Sequence, residues 1–200
     1  MSFAKKSPVC LMAGILCFAG LARAETLVSF SFGGYLGEVD PSLAGVFEVG
    51  DPFFGSLTYD LEAEDQLPAN QSYGIYHNMV AFSCVINGTH YASATVGHVN
   101  LPVGNVMDWL VDGGFSGDVA AGMTPQFVNI PLFENQSNPV LTTDAMPAEP
   151  FPSMLAFGSA EFRIRYGPTW NENEVRGWIT QDDSPVAVRA TSWSKIKAQY

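Results

Sequence analysis

The stretch Val80-Ala81-Phe82-Ser83-Cys84-Val85-Ile86-Asn87-Gly88-Thr89-His90-Tyr91-Ala92-Ser93-Ala94-Thr95-Val96 decides the fold class. Val80, Phe82, Cys84 and Ile86 recur with a period of two, the repeat of a strand with one buried face. Asn87-Gly88 follows, a pair suited to a tight hairpin because both central positions need positive φ. The return strand runs from Thr89 to Val96. A two-residue turn sets Ile86 opposite Thr89, Cys84 opposite Tyr91 and Phe82 opposite Ser93. The Phe82 face is the bulkier, so it is expected inward, with Cys84 buried against Tyr91 and His90 pointing out.

The same period recurs on both sides of this hairpin. Val28, Phe30 and Phe32 alternate with Ser29 and Ser31, and Leu57, Tyr59 and Leu61 alternate within 55–61. Phe162, Ile164 and Tyr166 alternate with Glu161, Arg163 and Arg165, followed by Val175, Gly177 and Ile179, and a last strand at 186–190. Helix signals are thin: 107–111 offers at most one turn, and Gly and Pro recur too often for long helices. Residues 124–152 carry six prolines and read as a long connection packed on one end, with a short edge strand at 127–132. Short strands without helices predict an all-β chain, a single antiparallel β-sandwich of jelly-roll type spanning residues 25–200.

Residues 1–24 read as a secretory signal. Lys5 and Lys6 form the basic start, residues 9–21 an apolar run too short for a bilayer of about 30 Å, and Ala22-Arg23-Ala24 a small-x-small cleavage site. Of Cys10, Cys17 and Cys84, only the last survives cleavage, so no intramolecular disulfide is expected. The whole chain has formal charge −11, and loss of three basic residues makes the processed chain −14. Between Arg23 and Arg163 lie 139 residues with 16 acids and no Lys or Arg. That excludes nucleic acid, whose phosphates demand cations, and disfavours anionic membranes. The basic residues after 162 offer the acidic segment a contact between subunits.

Candidate chemistry is sparse. Asp60, Glu62, Glu64 and Asp65 crowd one loop with the hard oxygen ligands calcium takes, but without EF-hand spacing. No motif calls for another cofactor. His77, His90 and His98 show no zinc-ligand pattern. Gly114-Phe115-Ser116-Gly117 lacks the strand–elbow–helix context of a serine nucleophile. Cys84 has no basic neighbour to activate it. Carboxylate pairs for glycoside hydrolysis are a standing alternative among 20 acids. Trp170 beside Asn171 is the candidate exposed platform for stacking a sugar, ahead of Trp178 and Trp193.

Three ordered segments carry a resemblance: Val49-Gly50-Asp51-Pro52 with Gly55-Ser56-Leu57-Thr58-Tyr59-Asp60; residues 82–91 around Asn87-Gly88; and Thr143-Asp144-Ala145-Met146-Pro147 leading through Ala156-Phe157 to Phe162-Arg163-Ile164 and Val175-Arg176-Gly177-Trp178-Ile179. Over most of 26–181 the chain resembles the secreted β-rich domain of bacterial PEP-CTERM-type exported proteins, without their C-terminal sorting tail. The resemblance implies an exported domain from bacteria that often make exopolysaccharide, and it supplies no catalytic residues. The expectation is a secreted, non-catalytic protein of the envelope or extracellular matrix, with polysaccharide or envelope proteins as partners and no membrane span after processing. The alternatives are a carbohydrate-active hydrolase using paired carboxylates and a calcium-dependent adhesion module.

Overall fold

The computed structural model describes residues 26–77, 79–104, 106–135, 137, 139–146, 153–168, 172–183 and 186–189. The signal segment, with Ala22 and Ala24, and the pair Trp170 and Asn171 lie outside the described residues. Among the described residues there are twelve strands: β1 Thr26–Val39, β2 Pro52–Asp60, β3 Tyr73–Tyr76, β4 Met79–Ile86, β5 His90–Ala94, β6 Val96–Pro102, β7 Val106–Gly113, β8 Ser116–Gly117, β9 Pro125–Phe133, β10 Ser159–Tyr166, β11 Glu174–Asp182 and β12 Val186–Arg189. The only helical pieces among the described residues are 3-10 turns at Pro41–Leu43 and Met154–Ala156. The chain is therefore all-β, and every strand pairing is antiparallel.

The strands form one hydrogen-bonded path, β3-β6-β7-β9-β10-β11-β1-β2-β4-β5-β8, with β12 on the side of β1. The path curls into a half-barrel, and ring contacts show how tightly. β7 and β1 are four places apart, about 19 Å at the usual strand spacing. Yet the Phe30 and Trp109 ring centroids are 5.3 Å apart. Phe53 of β2 stacks on Phe162 of β10 at 4.6 Å from three places away. The inward rows from both arms thus fill one interior, with Leu57, Tyr59, Trp109, Val128, Ile130 and Phe162 at most 1 % exposed. Thr95 alone links β5 to β6, although these lie near opposite ends of the path.

Three local expectations need correction. The hairpin register is one residue off, because Thr89 joins Asn87 and Gly88 in the loop. Asn87 and Gly88 do take positive φ, at 53° and 67°. The observed pairs are Ile86 with His90, Val85 with Tyr91, Cys84 with Ala92 and Phe82 with Ala94. One extra loop residue turns the whole return strand over. Cys84 is buried as expected, but Tyr91 is 44 % exposed, and His90 sits edge-on to the buried Phe47 ring at 4.9 Å.

Residues 107–111 form no helical turn; they are the heart of β7, with Met107, Trp109 and Val111 buried. The 127–132 segment is no edge strand either. β9 lies in mid-sheet between β7 and β10, and Val128, Ile130 and Leu132 are fully buried. Proline lacks a backbone N–H, and the cost is visible. The ladder to β10 skips Glu161 and Phe162, opposite Pro131 and Ile130, while the ladder to β7 runs unbroken through Asp108 and Pro131. The long connection exists after β9. The buried Glu134 carboxylate holds it by accepting the Val140 and Leu141 N–H groups at 2.6 and 2.7 Å. The Asp182 carboxylate accepts the Met154 N–H at 2.6 Å and the Ser153 hydroxyl at 3.0 Å.

Candidate functional site

The outer face of the sheet, opposite the core, carries the groups with accessible chemistry. Along β1 that face reads Ser31, Gly33, Tyr35 and Gly37. The two glycines act as seats for rings from neighbouring strands. A Cβ on Gly33 would stand 2.9 Å from Phe54 Cδ1, and one on Gly37 would stand 1.5 Å from Trp178 Cζ3. Tyr35 sits between the seats and pairs with Trp178 across β1 and β11. Phe54 is 56 % exposed, Tyr35 59 % and Trp178 42 %. The three rings therefore form a row over about 13 Å of strand. Beside Phe54 a depression of about 190 Å³ is lined by Ser31, Phe32, Phe54, Gln181, Asp182 and Asp183.

Further along, the same face becomes charged. Arg163 donates through Nε and Nη2 to Glu161 Oε2 at 3.0 and 2.6 Å. Arg176 reaches Glu38 at 3.2 Å, Glu174 at 3.6 Å and Glu161 at 3.9 Å. The Arg165 guanidinium lies 4.6 Å over the Phe127 ring. The basic end of the chain thus meets the acidic segment within one molecule, through Arg176 and Glu38. Asp108 accepts from Asn129 Nδ2 on this face. Burial pushes its carboxyl from 3.8 up to about 6, against the opposing pulls of Asn129 and Arg163.

The acidic loop is occupied with its own backbone. Asp60 accepts the Glu62 N–H at 2.9 Å, and Asp65 accepts those of Leu67 and Ile75 at 2.9 and 3.0 Å. Thr26 donates to Glu62 at 2.8 Å, and the Glu64 carbonyl accepts from Gln66. Among the described residues, no group of three or more His, Cys, Asp or Glu is arranged to hold a metal ion.

The histidines fall in two places. His77 and His98 lie 5.3 Å apart across the β3–β6 edge, with Asp112 3.6 Å from His98 Nδ1, while His90 packs on the other arm. Burial lowers the His98 pKa, partly opposed by Asp112. Burial also drives the Cys84 thiol up to about 12, which keeps it protonated and unreactive. Ser116 lies in the two-residue strand β8, on a strand edge rather than an elbow.

The sequence singles out Trp170, which lies outside the described residues, whereas the exposed rings Tyr35 and Phe54 are not among its candidates. A faint signal was present in the spacing Gly33-Gly34-Tyr35-Leu36-Gly37, where a strand leaves room for rings from elsewhere. Among the described residues, no helix is long and apolar enough to cross a membrane. Compared with known protein families, curated proteins and solved structures, the chain matches none.

Proposed function

We propose that this chain is a secreted bacterial protein of the envelope or extracellular matrix that binds carbohydrate without turning it over. The observation that carries the reading is the row of Phe54, Tyr35 and Trp178 on the outer face, beside the depression at Gln181 and Asp183. Flat apolar rings meet the C–H faces of a sugar, and the neighbouring hydroxyl, amide and carboxylate groups meet its hydroxyls. The depression is below the usual size of a small-molecule site, which suits one ring of a longer chain crossing the surface. The signal-like start and the resemblance to PEP-CTERM-type exported domains support export. The sandwich reading of the fold belongs here too: the Phe30–Trp109 and Phe53–Phe162 contacts support treating the two arms as its layers. A glycan array probed with processed protein, with and without calcium, tests the function. Binding lost in Trp178→Ala is expected, and silence on every glycan would overturn the reading.

A second reading, a carbohydrate-active hydrolase, has one observation behind it. Asp108 and Glu161 lie on the same outward row, on either side of Pro131, one carboxyl raised by burial and the other held by Arg163. Separated environments of this kind mark acid and base partners in glycosidases. Neither residue lines the depression, so binding takes precedence. Release of reducing ends that disappears in both Asp108→Asn and Glu161→Gln would reverse that order. The calcium-dependent adhesion reading is tested by melting in chelator, since a bound ion raises the melting temperature by mass action.

A further inference from the structure

We infer that the ligand of the Phe54–Tyr35–Trp178 row is a polysaccharide bearing free amines, a polymer of protonated hexosamine rather than a neutral or acidic glycan. The inference rests on the carbohydrate reading and adds the charge of the sugar. Three observations of the face carry it.

The first is the rim of the depression. Asp183 is exposed there, and its backbone is fixed by donation of its N–H to the Ser31 carbonyl at 3.0 Å. Asp182 lines the same depression, with its carboxylate tied to Ser153 and Met154. An ammonium group entering beside Phe54 therefore meets a ring face and a carboxylate together, the pairing by which proteins hold organic cations. A carboxylate or sulfate entering there meets like charge.

The second is where the arginines of β10 and β11 are. Arg163 and Arg176 are ion-paired to glutamates, Arg165 lies over Phe127, and none of the three lines the depression. A uronic acid polymer would find no arginine at the depression among the described residues. The third is the field of the whole chain. A formal charge of −11, with 16 acids and no Lys or Arg between Arg23 and Arg163, attracts a polycation from a distance and repels a polyanion.

The test uses the processed protein and three probes: an oligomer of glucosamine, its fully N-acetylated counterpart and a uronic acid oligomer. Titration calorimetry at low salt is expected to give the free-amine oligomer about tenfold the affinity of the acetylated one, with no binding of the uronic acid. Raising the salt should shrink that ratio, because the Debye length falls below the span of the contact. Asp183→Asn, an exposed change, should reduce the ratio by weakening the free-amine oligomer more than the acetylated one; circular dichroism checks that the variant is folded. Equal affinity for both oligomers, a preference for the uronic acid, or an unchanged ratio in Asp183→Asn would each overturn the inference while the carbohydrate reading stood. Binding of no probe, together with a silent glycan array, would remove the carbohydrate reading and the inference with it.

Discussion

The two faces of this sheet use the same residue types to opposite ends. On the inner face Trp109 is 1 % exposed and touches the Phe30 and Tyr59 rings from across the interior at 5.3 and 6.0 Å. On the outer face Trp178 lies over a glycine with 42 % of its surface open. One tryptophan is held on all sides by neighbours that leave no room; the other rests against a glycine and leaves much of its surface open. Burial alone therefore does not describe what an aromatic residue contributes in a β protein. Whether the ring meets the opposite arm decides whether it adds cohesion or stays open to solvent.

The comparison breaks most visibly at Trp109. Trp109→Ala removes the ring that joins the two arms and should cost about 3–5 kcal/mol, a large part of a typical domain's stability. Urea denaturation reads this directly, and a loss under about 1 kcal/mol would mean the arms do not depend on each other. The next effect is on the outer face. Between about pH 4 and pH 6 folded Asp108 keeps a proton that the unfolded chain has released, so stability falls as pH rises through that window. Asp108→Asn should flatten this fall and raise stability at pH 7 by about 1–2 kcal/mol, allowing for the partial exposure of the group. Melting curves of both proteins across the window check it; parallel curves would show that the carboxyl is ordinary.

Trp178→Ala sharpens the contrast from the other side. Its stability cost should be under about 1 kcal/mol, the scale of a cross-strand pair, while glycan binding is lost. A cost near that of Trp109→Ala would make Trp178 a structural ring. The smallest effect concerns Cys84. With its thiol pushed to about 12 by burial, a thiol reagent at pH 8 should label it only after denaturation. Rapid labelling of the folded protein would show that the β4–β5 arm opens.

Legibility in the sequence followed the range of the interactions. The strands around Phe30, Leu57, Phe82, Phe162 and Ile179 were readable, because alternation is local and burial enforces it on each strand separately. The turn at Asn87-Gly88 was readable for the same reason, yet its register was not. Thr89 joins the loop or the strand at nearly equal local cost, and the choice is settled by which return-strand side chains fit the interior: Ala92 and Ala94 go in, Tyr91 goes out. The prolines of 124–152 lead to an edge-strand expectation for 127–132, which the fold overturns. In the fold the missing N–H interrupts one ladder while the other stays intact, and three buried aliphatic side chains hold the strand in mid-sheet.

The candidate site was the least legible part. Phe54, Tyr35 and Trp178 stand far apart in the chain, and nothing local joins them. Local patterning by itself determined that the chain is all-β and where most strands begin, and composition that the chain carries a strongly negative charge. Only the tertiary structure decided that the strands join in one curled path, which arginine meets which glutamate, and which rings remain uncovered. Alternation states that a strand has two faces, whereas the identity of whatever covers each face is set by pairings between residues distant in sequence.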